Sequence, residues 1–188
     1  MTSGRAPRGR GGKVTEVFVE RHWDKSLTDA ELQDLFARSG GCLSNHRCVW
    51  NGSMLSANGR DLVCHFTGPD AESVRIALRE AGSPRGNIWA GTIHVAPGYT
   101  EADLRKANVV VTRRFEEPAN FAAIQALEDE GKGCLDAHRV RFIRTYFSRD
   151  RTRMICLYQA PDAESVRIAQ REAGMPVDQV WSCRQLSL

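Results

Sequence analysis

PDAESVRIALREAGSPRGNIW at residues 69–89 returns as PDAESVRIAQREAGMPVDQVW at 161–181, identical at 15 of 21 positions. The same offset of 92 residues, without a gap, pairs VFVERHW (17–23) with VVVTRRF (109–115), GCLSNHR (41–47) with GCLDAHR (133–139) and LVCHF (62–66) with MICLY (154–158). This is a tandem duplication, and it limits the fold more than any other feature, because whatever one copy builds the other must also build. The copies run over 14–96 and 106–188, with a short linker at 97–105 that includes part of PGYTEADLRK.

Within a copy the pattern reads strand, helix, strand, strand, helix, strand. Residues 15–23 alternate and are rich in Val and Phe, as a strand requires. LTDAELQDLFARSGG follows with a helix signature: Thr28 and Glu31 form a capping box, Leu27 and Leu32 sit where a hydrophobic staple needs them, and Gly40 or Gly41 is expected to end the helix. Strands over 45–56 and 60–67 flank Asn58-Gly59, a strong hairpin signal. The second helix opens at PDAES, carries an apolar stripe at Val74, Ala77, Leu78 and Ala81, and stops at Gly82 before a last strand over 87–95. A βαββαβ order predicts an α+β fold of tandem ferredoxin-like repeats, each a four-stranded antiparallel sheet with both helices on one face. Each such sheet leaves a face uncovered. Two copies in one chain can cover both by pairing as an intrachain α+β barrel, with a small-molecule pocket expected between the sheets.

Charge narrows the partners. The first thirteen residues, MTSGRAPRGRGGK, read as a flexible basic tail holding Arg5, Arg8, Arg10 and Lys13 and no acid, so the formal net charge of +3 leaves −1 on the rest. A body of that charge lacks the basic surface that sequence-independent nucleic-acid binding needs. No apolar run approaches a membrane span and no secretory h-region stands at the start, so the expected location is cytoplasmic, with six cysteines kept as reduced, mostly buried thiols. Self-association as a homo-oligomer is left open.

Strand parity sorts the candidates for the pocket. Val17, Val19 and Cys64 recur as Val109, Val111 and Cys156 and read as the helix-side core, whereas Phe18, Glu20, His22, Val63 and His65 fall on the other face and become Val110, Thr112, Arg114, Ile155 and Leu157. A two-residue Asn58-Gly59 turn sets Val63 opposite Met54 and His65 opposite Gly52, which carries His46, Cys48 and Trp50 to the pocket face. The second copy then contributes His138, Val140, Phe142, Arg144 and Tyr146. Of these, His46, Cys48 and His65 are the candidate metal ligands, since imidazole and thiolate suit nickel or zinc. His22, Glu20 and Tyr146 are the groups for acid–base catalysis, and Trp50, Phe142, Arg114, Arg144 and His138 are the candidate substrate contacts. A Cys₂His₂ site from Cys42, His46, Cys134 and His138 competes with plain packing at a helix end. With no P-loop, dinucleotide fingerprint or nucleophile elbow, a nucleotide cofactor is not expected.

The segment MICLYQAPDAESVRIAQREAGMPVDQVW, above all its CL-x-APDAE-x-V portion, resembles the C-terminal half of a bacterial domain-of-unknown-function family that includes small nickel-binding, ferredoxin-like proteins. HFTGPDAESVRIALREAG in the first copy resembles it too, with Gly68 in place of Ala160. The resemblance covers both copies and implies the ferredoxin-like fold, barrel-like pairing and divalent-metal binding, nickel among the ions. The expected function is therefore binding of a small ligand or divalent metal between the repeats. A cofactor-independent enzyme acting on a small hydrophobic substrate, such as an isomerase, cyclase or oxygenase-like protein, is the alternative, and a structural or interaction module the second.

Overall fold

The computed structural model describes residues 14–186, so the basic tail expected over 1–13 lies outside the described residues. The first copy contributes β1 (Thr15–His22), α1 (Asp29–Asn45), β2 (Val49–Ser56), β3 (Asp61–Gly68), α2 (Ala71–Glu80) and β4 (Asn87–Val95). A one-turn helix, α3 (Glu101–Leu104), lies in the connection. The second copy supplies β5 (Val109–Arg114), α4 (Phe121–Glu130), α5 (Lys132–Ala137), β6 (Arg141–Ser148), β7 (Arg153–Gln159), α6 (Ala163–Glu172) and β8 (Gln179–Leu186).

The eight strands close into one antiparallel barrel in the order β1-β3-β2-β8-β5-β7-β6-β4. Each copy forms a four-strand half, and two seams join the halves: β2 with β8, where Ser56 meets Cys183, and β4 with β6, where Gly91 meets Ser148. The α+β barrel of paired ferredoxin-like repeats is thus the observed fold. Closure satisfies the edge strands that either sheet would otherwise expose.

Two helix-side cores lie outside the barrel wall. One gathers Val17, Val19, Cys64, Leu32 and Val74, and the other Val109, Val111, Cys156, Ile124 and Val166. A third core fills the barrel axis with Phe18, Met54, Val63, Trp89, Tyr146 and Ile155. Phe18 stacks on Tyr146 at 4.4 Å and lies 4.6 Å from Trp89 between ring centroids, contacts worth about 0.5–1.5 kcal/mol each beyond the area they bury. The parity of β1, β3, β5 and β7 is as the alternation predicts.

Helix ends follow their chemistry in part. The Thr28–Glu31 capping box is formed, and Asp70 and Asp162 cap α2 and α6 by accepting from the backbone N–H of Ser73 and Ser165. Those backbone bonds, followed by the Ser hydroxyls, hold both carboxyls below their usual range. Gly40 and Gly41, however, do not stop α1, which runs to Asn45. Among the described residues nothing lies within 4 Å of where their Cβ atoms would be, and buried Leu43 anchors one further turn against the core. The repeated His-Arg pair is the real exit. His46 is the C-cap, Arg47 follows at φ 56°, and Cys48 N–H closes on Leu43 O at 2.8 Å; His138, Arg139 (φ 55°) and Val140 N–H to Leu135 O repeat the motif.

A buried cation links each helix layer to the barrel wall, and the sequence reading overlooked it. Arg113, 1% exposed, donates from Nε to Pro176 O (2.8 Å) and from its terminal nitrogens to Gln170 Oε1 (2.5 Å) and Cys156 Sγ (2.6 Å). Its counterpart Arg21 donates to Pro84 O (3.2 Å) and Ser83 Oγ (3.1 Å).

Gly91 tests the closure. A Cβ there would stand 2.6 Å from Phe147 O across the β4–β6 seam and 2.8 Å from the Trp89 ring of its own strand. Gly91→Ala is therefore expected to cost about 1–3 kcal/mol as overpacking, read as a lower urea midpoint; an unchanged midpoint would contradict the seam.

Candidate functional site

The interior face opens at two mouths, and the strand directions decide which groups reach each. At one end β1 begins and β3 finishes, bringing Glu16 and His65 side by side with His65 Nε2 and Glu16 Oε2 2.5 Å apart. Arg144 and Tyr146 of β6 and Gln185 of β8 complete the wall of a cavity of 510 Å³, with Met54, Ile93 and Leu157 among its apolar lining. The His65 ring lies 5.1 Å from Phe18, stacked, and 5.7 Å from Tyr146 between centroids. Arg144 is 8% exposed and Tyr146 4%. Gln185 Nε2 donates to Ala107 O at 2.9 Å and also to Leu104 O, tying β8 to α3 and the residues after it at this mouth.

At the other end Glu20, His22 and Arg114 line a second cavity, of 340 Å³, with Asp61, Thr112 and Trp181. His22 Nδ1 meets Asp61 Oδ1 at 2.7 Å. Glu20 Oε1 accepts from Trp89 Nε1 at 2.7 Å and Asn87 Nδ2 at 3.2 Å, and lies 3.8 Å from Arg153. Thus the residues read as catalytic are divided: Glu20 and His22 stand at one mouth and Tyr146 at the other, with the packed axis between them.

Six of the residues assigned to the pocket face do not face the barrel interior. β2 carries a bulge between Trp50 and Gly52, so that Gly52 pairs with His65 but Trp50 pairs with Phe66; β6 repeats it between Phe142 and Arg144. One extra residue flips every side chain that precedes it. Cys48 and Trp50 consequently join the helix-side core of the first copy, with Trp50 stacked on Phe36 at 4.4 Å, and Phe142 and Val140 join that of the second. His46 Nε2 pairs with Glu80 at 2.8 Å and His138 Nε2 with Glu172 at 2.9 Å, each tying the end of one helix to the other helix of its own copy. The Cys₂His₂ alternative is overturned by the same placement: no group of three or more His, Cys, Asp or Glu side chains able to hold an ion is found among the described residues.

Alternation along β1 and β3 could have nominated Glu16 with Glu20, and Asp61 with His65, since each pair shares parity. The sequence carries no comparable signal for the partners Gln185 and Trp181, which reach the mouths only because β8 closes on β2 and β5. Cys183 faces the same interior, where burial pushes its thiol up to about 12 and keeps it protonated.

The profile of the family described as Nickel responsive protein SCO4226-like matches residues 18–90 and again 110–182. The chain belongs to this family. Both copies are matched, as the repeat predicts. No curated protein matches the chain. Among solved structures, TA0507, named for chlorite dismutase, aligns with a TM-score of 0.50 at 14% identity over 92% of this chain and 94% of that one. A mutant chlorite dismutase from Candidatus Nitrospira defluvii aligns at 0.50 and 13%, over 93% and 91%. Identity this low shows the fold alone.

The donors present do not fit a nickel ion held by this SCO4226-like chain alone. At the larger mouth Glu16 and His65 offer one oxygen and one nitrogen, and the other polar wall groups, the amides of Asn51 and Gln185, the hydroxyls of Ser53, Thr67 and Tyr146, and Arg144, are poor ligands for such an ion. Transition-metal sites ordinarily take three or four protein donors. No third His, Cys, Asp or Glu joins the pair among the described residues.

Because His46 and His138 are half-buried links on the exterior, His46→Ala and His138→Ala should each cost less than about 1 kcal/mol in urea unfolding and leave pocket affinity unchanged. Loss of binding in either variant would contradict their placement.

Proposed function

We propose that this SCO4226-like protein binds a small organic acid at the mouth lined by Glu16, His65, Arg144 and Tyr146. The observation that carries the reading is the 510 Å³ cavity lined both by Arg144 from one copy and by the His65–Glu16 pair from the other, together with apolar side chains. A pocket of this size and mixed lining suits a small molecule. Arg144 supplies a fixed positive charge with a planar fork that matches a carboxylate. Met54 and Leu157 take the apolar body, and the His65 ring, held by Glu16 and stacked on Phe18, sets one wall.

The family's description points toward a metal as well, and at this mouth Glu16 with His65 is the donor pair that could contact one. Two donors make a weak site, so the organic anion is the reading the geometry favours.

Calorimetric titration of the full chain with a panel of small mono- and dicarboxylic acids tests it. Binding is expected for members with an apolar body, and Arg144→Met, which keeps the side-chain bulk, should weaken it by about tenfold or more, the range for a charged hydrogen bond. Stoichiometric nickel in the wild type that disappears in His65→Ala, with no acid bound, would overturn the proposal in favour of the metal.

A further inference from the structure

The second mouth, 340 Å³ in volume, lies at the opposite end of the barrel from the proposed acid site and is separated from it by the packed aromatic axis. Both copies build it, Glu20, His22 and Asp61 from the first and Thr112, Arg114 and Trp181 from the second. Thr112 is the unusual member. It is 7% exposed, and its Oγ1 has no hydrogen-bond partner among the described residues. Leaving a buried hydroxyl unpaired is unfavourable, and folded interiors seldom tolerate it without a ligand or water to satisfy it. Val110, two residues earlier on β5, belongs to the barrel-axis core, so alternation aims Thr112 into this cavity.

The groups around that hydroxyl are set to accept. Among the described residues the contacts of Glu20, from Trp89, Asn87 and Arg153, fall on Oε1, so that Oε2 can accept from a ligand. His22 Nδ1 is paired with Asp61 Oδ1 at 2.7 Å, which leaves Nε2 as the second ring nitrogen for a ligand hydroxyl, donor or acceptor according to the tautomer. The charges compensate locally: Arg153 lies beside Glu20, and Arg114 lies 3.4 Å from Asp178. Such a mouth has little net charge with which to select an ion. It offers one orphan hydroxyl, several acceptors and the indole of Trp181.

We propose that this mouth is a second binding site, for a small neutral polyhydroxylated molecule such as a monosaccharide or sugar alcohol. Ligand hydroxyls bond Thr112 Oγ1 and Glu20 Oε2, and the C–H face of the ligand packs on Trp181. The site does not depend on the acid-binding reading of the other mouth.

Ligand-observed NMR and tryptophan-fluorescence titrations of the full chain with D-glucose, myo-inositol and ribitol, beside ethanolamine and acetate as charged probes, test the proposal. At least one hydroxylic probe should bind in preference to both charged ones. Thr112→Val should weaken it by about tenfold, the loss of one to two hydrogen bonds, whereas Thr112→Ser should restore it and Arg144→Met leave it unaltered. Thr112→Val should also unfold at higher urea than the wild type when no ligand is present, because the orphan hydroxyl is gone. Failure of all three hydroxylic probes to bind, preference for ethanolamine or acetate, or affinity indifferent to Thr112→Val would overturn it.

Discussion

A four-stranded antiparallel sheet with two helices on one face has an opposite face and two edges still to cover, and in this protein that need organises the rest. The second copy covers all three at once: β8 pairs with the edge strand β2, β6 pairs with the edge strand β4, and the two uncovered faces become one barrel interior. The interior is then too narrow to stay empty and is filled along its axis by Phe18, Met54, Val63, Trp89 and Tyr146. What remains are the two mouths. Each is lined by both copies, so neither cavity would exist in an isolated repeat.

The chemistry at those mouths comes from divergence between the copies at equivalent interior positions. Gly52 in the first copy corresponds to Arg144 in the second, His65 to Leu157, and Glu20 to Thr112. A small residue in one half leaves the space into which a polar or apolar partner of the other half can reach. The helix-side positions have not diverged in the same way. Val17, Val19 and Cys64 match Val109, Val111 and Cys156, and the buried arginines Arg21 and Arg113 repeat together with the proline carbonyls they bond. That side keeps each half folded, and the interior face differentiates the two ends.

The duplication and the alternation along β1, β3, β5 and β7 make the architecture readable from the sequence, because both are properties of local pattern. The bulges were not readable. Gly52, at φ 136°, is the one residue whose type hints at an irregular strand in β2, and β6 makes the same bulge with Phe142, Ile143 and Arg144, none of which signals it. A single unpaired residue there separates Cys48 and Trp50 from His65, and Phe142 from Tyr146, and so scatters a constellation that looked continuous along the chain. GCLSNHRCVW shows the same limit. Its cysteines and histidine have the look of a metal motif, yet His46 and Arg47 form the exit of α1, Cys48 packs against the helix layer, and the histidine's partner Glu80 stands 34 residues away on α2.

Both mouths and the packed axis require the two halves to form one closed wall. Native-state hydrogen exchange measures this directly, by comparing amides at the seams with amides inside each half. The closed barrel predicts that the seam amides of β2 with β8 and of β4 with β6 exchange only through global unfolding, with the same free energy as those between β1 and β3 or β5 and β7. Seam amides that exchange by local opening while the pairs within each half stay protected would show two separate sheets, and would contradict the account.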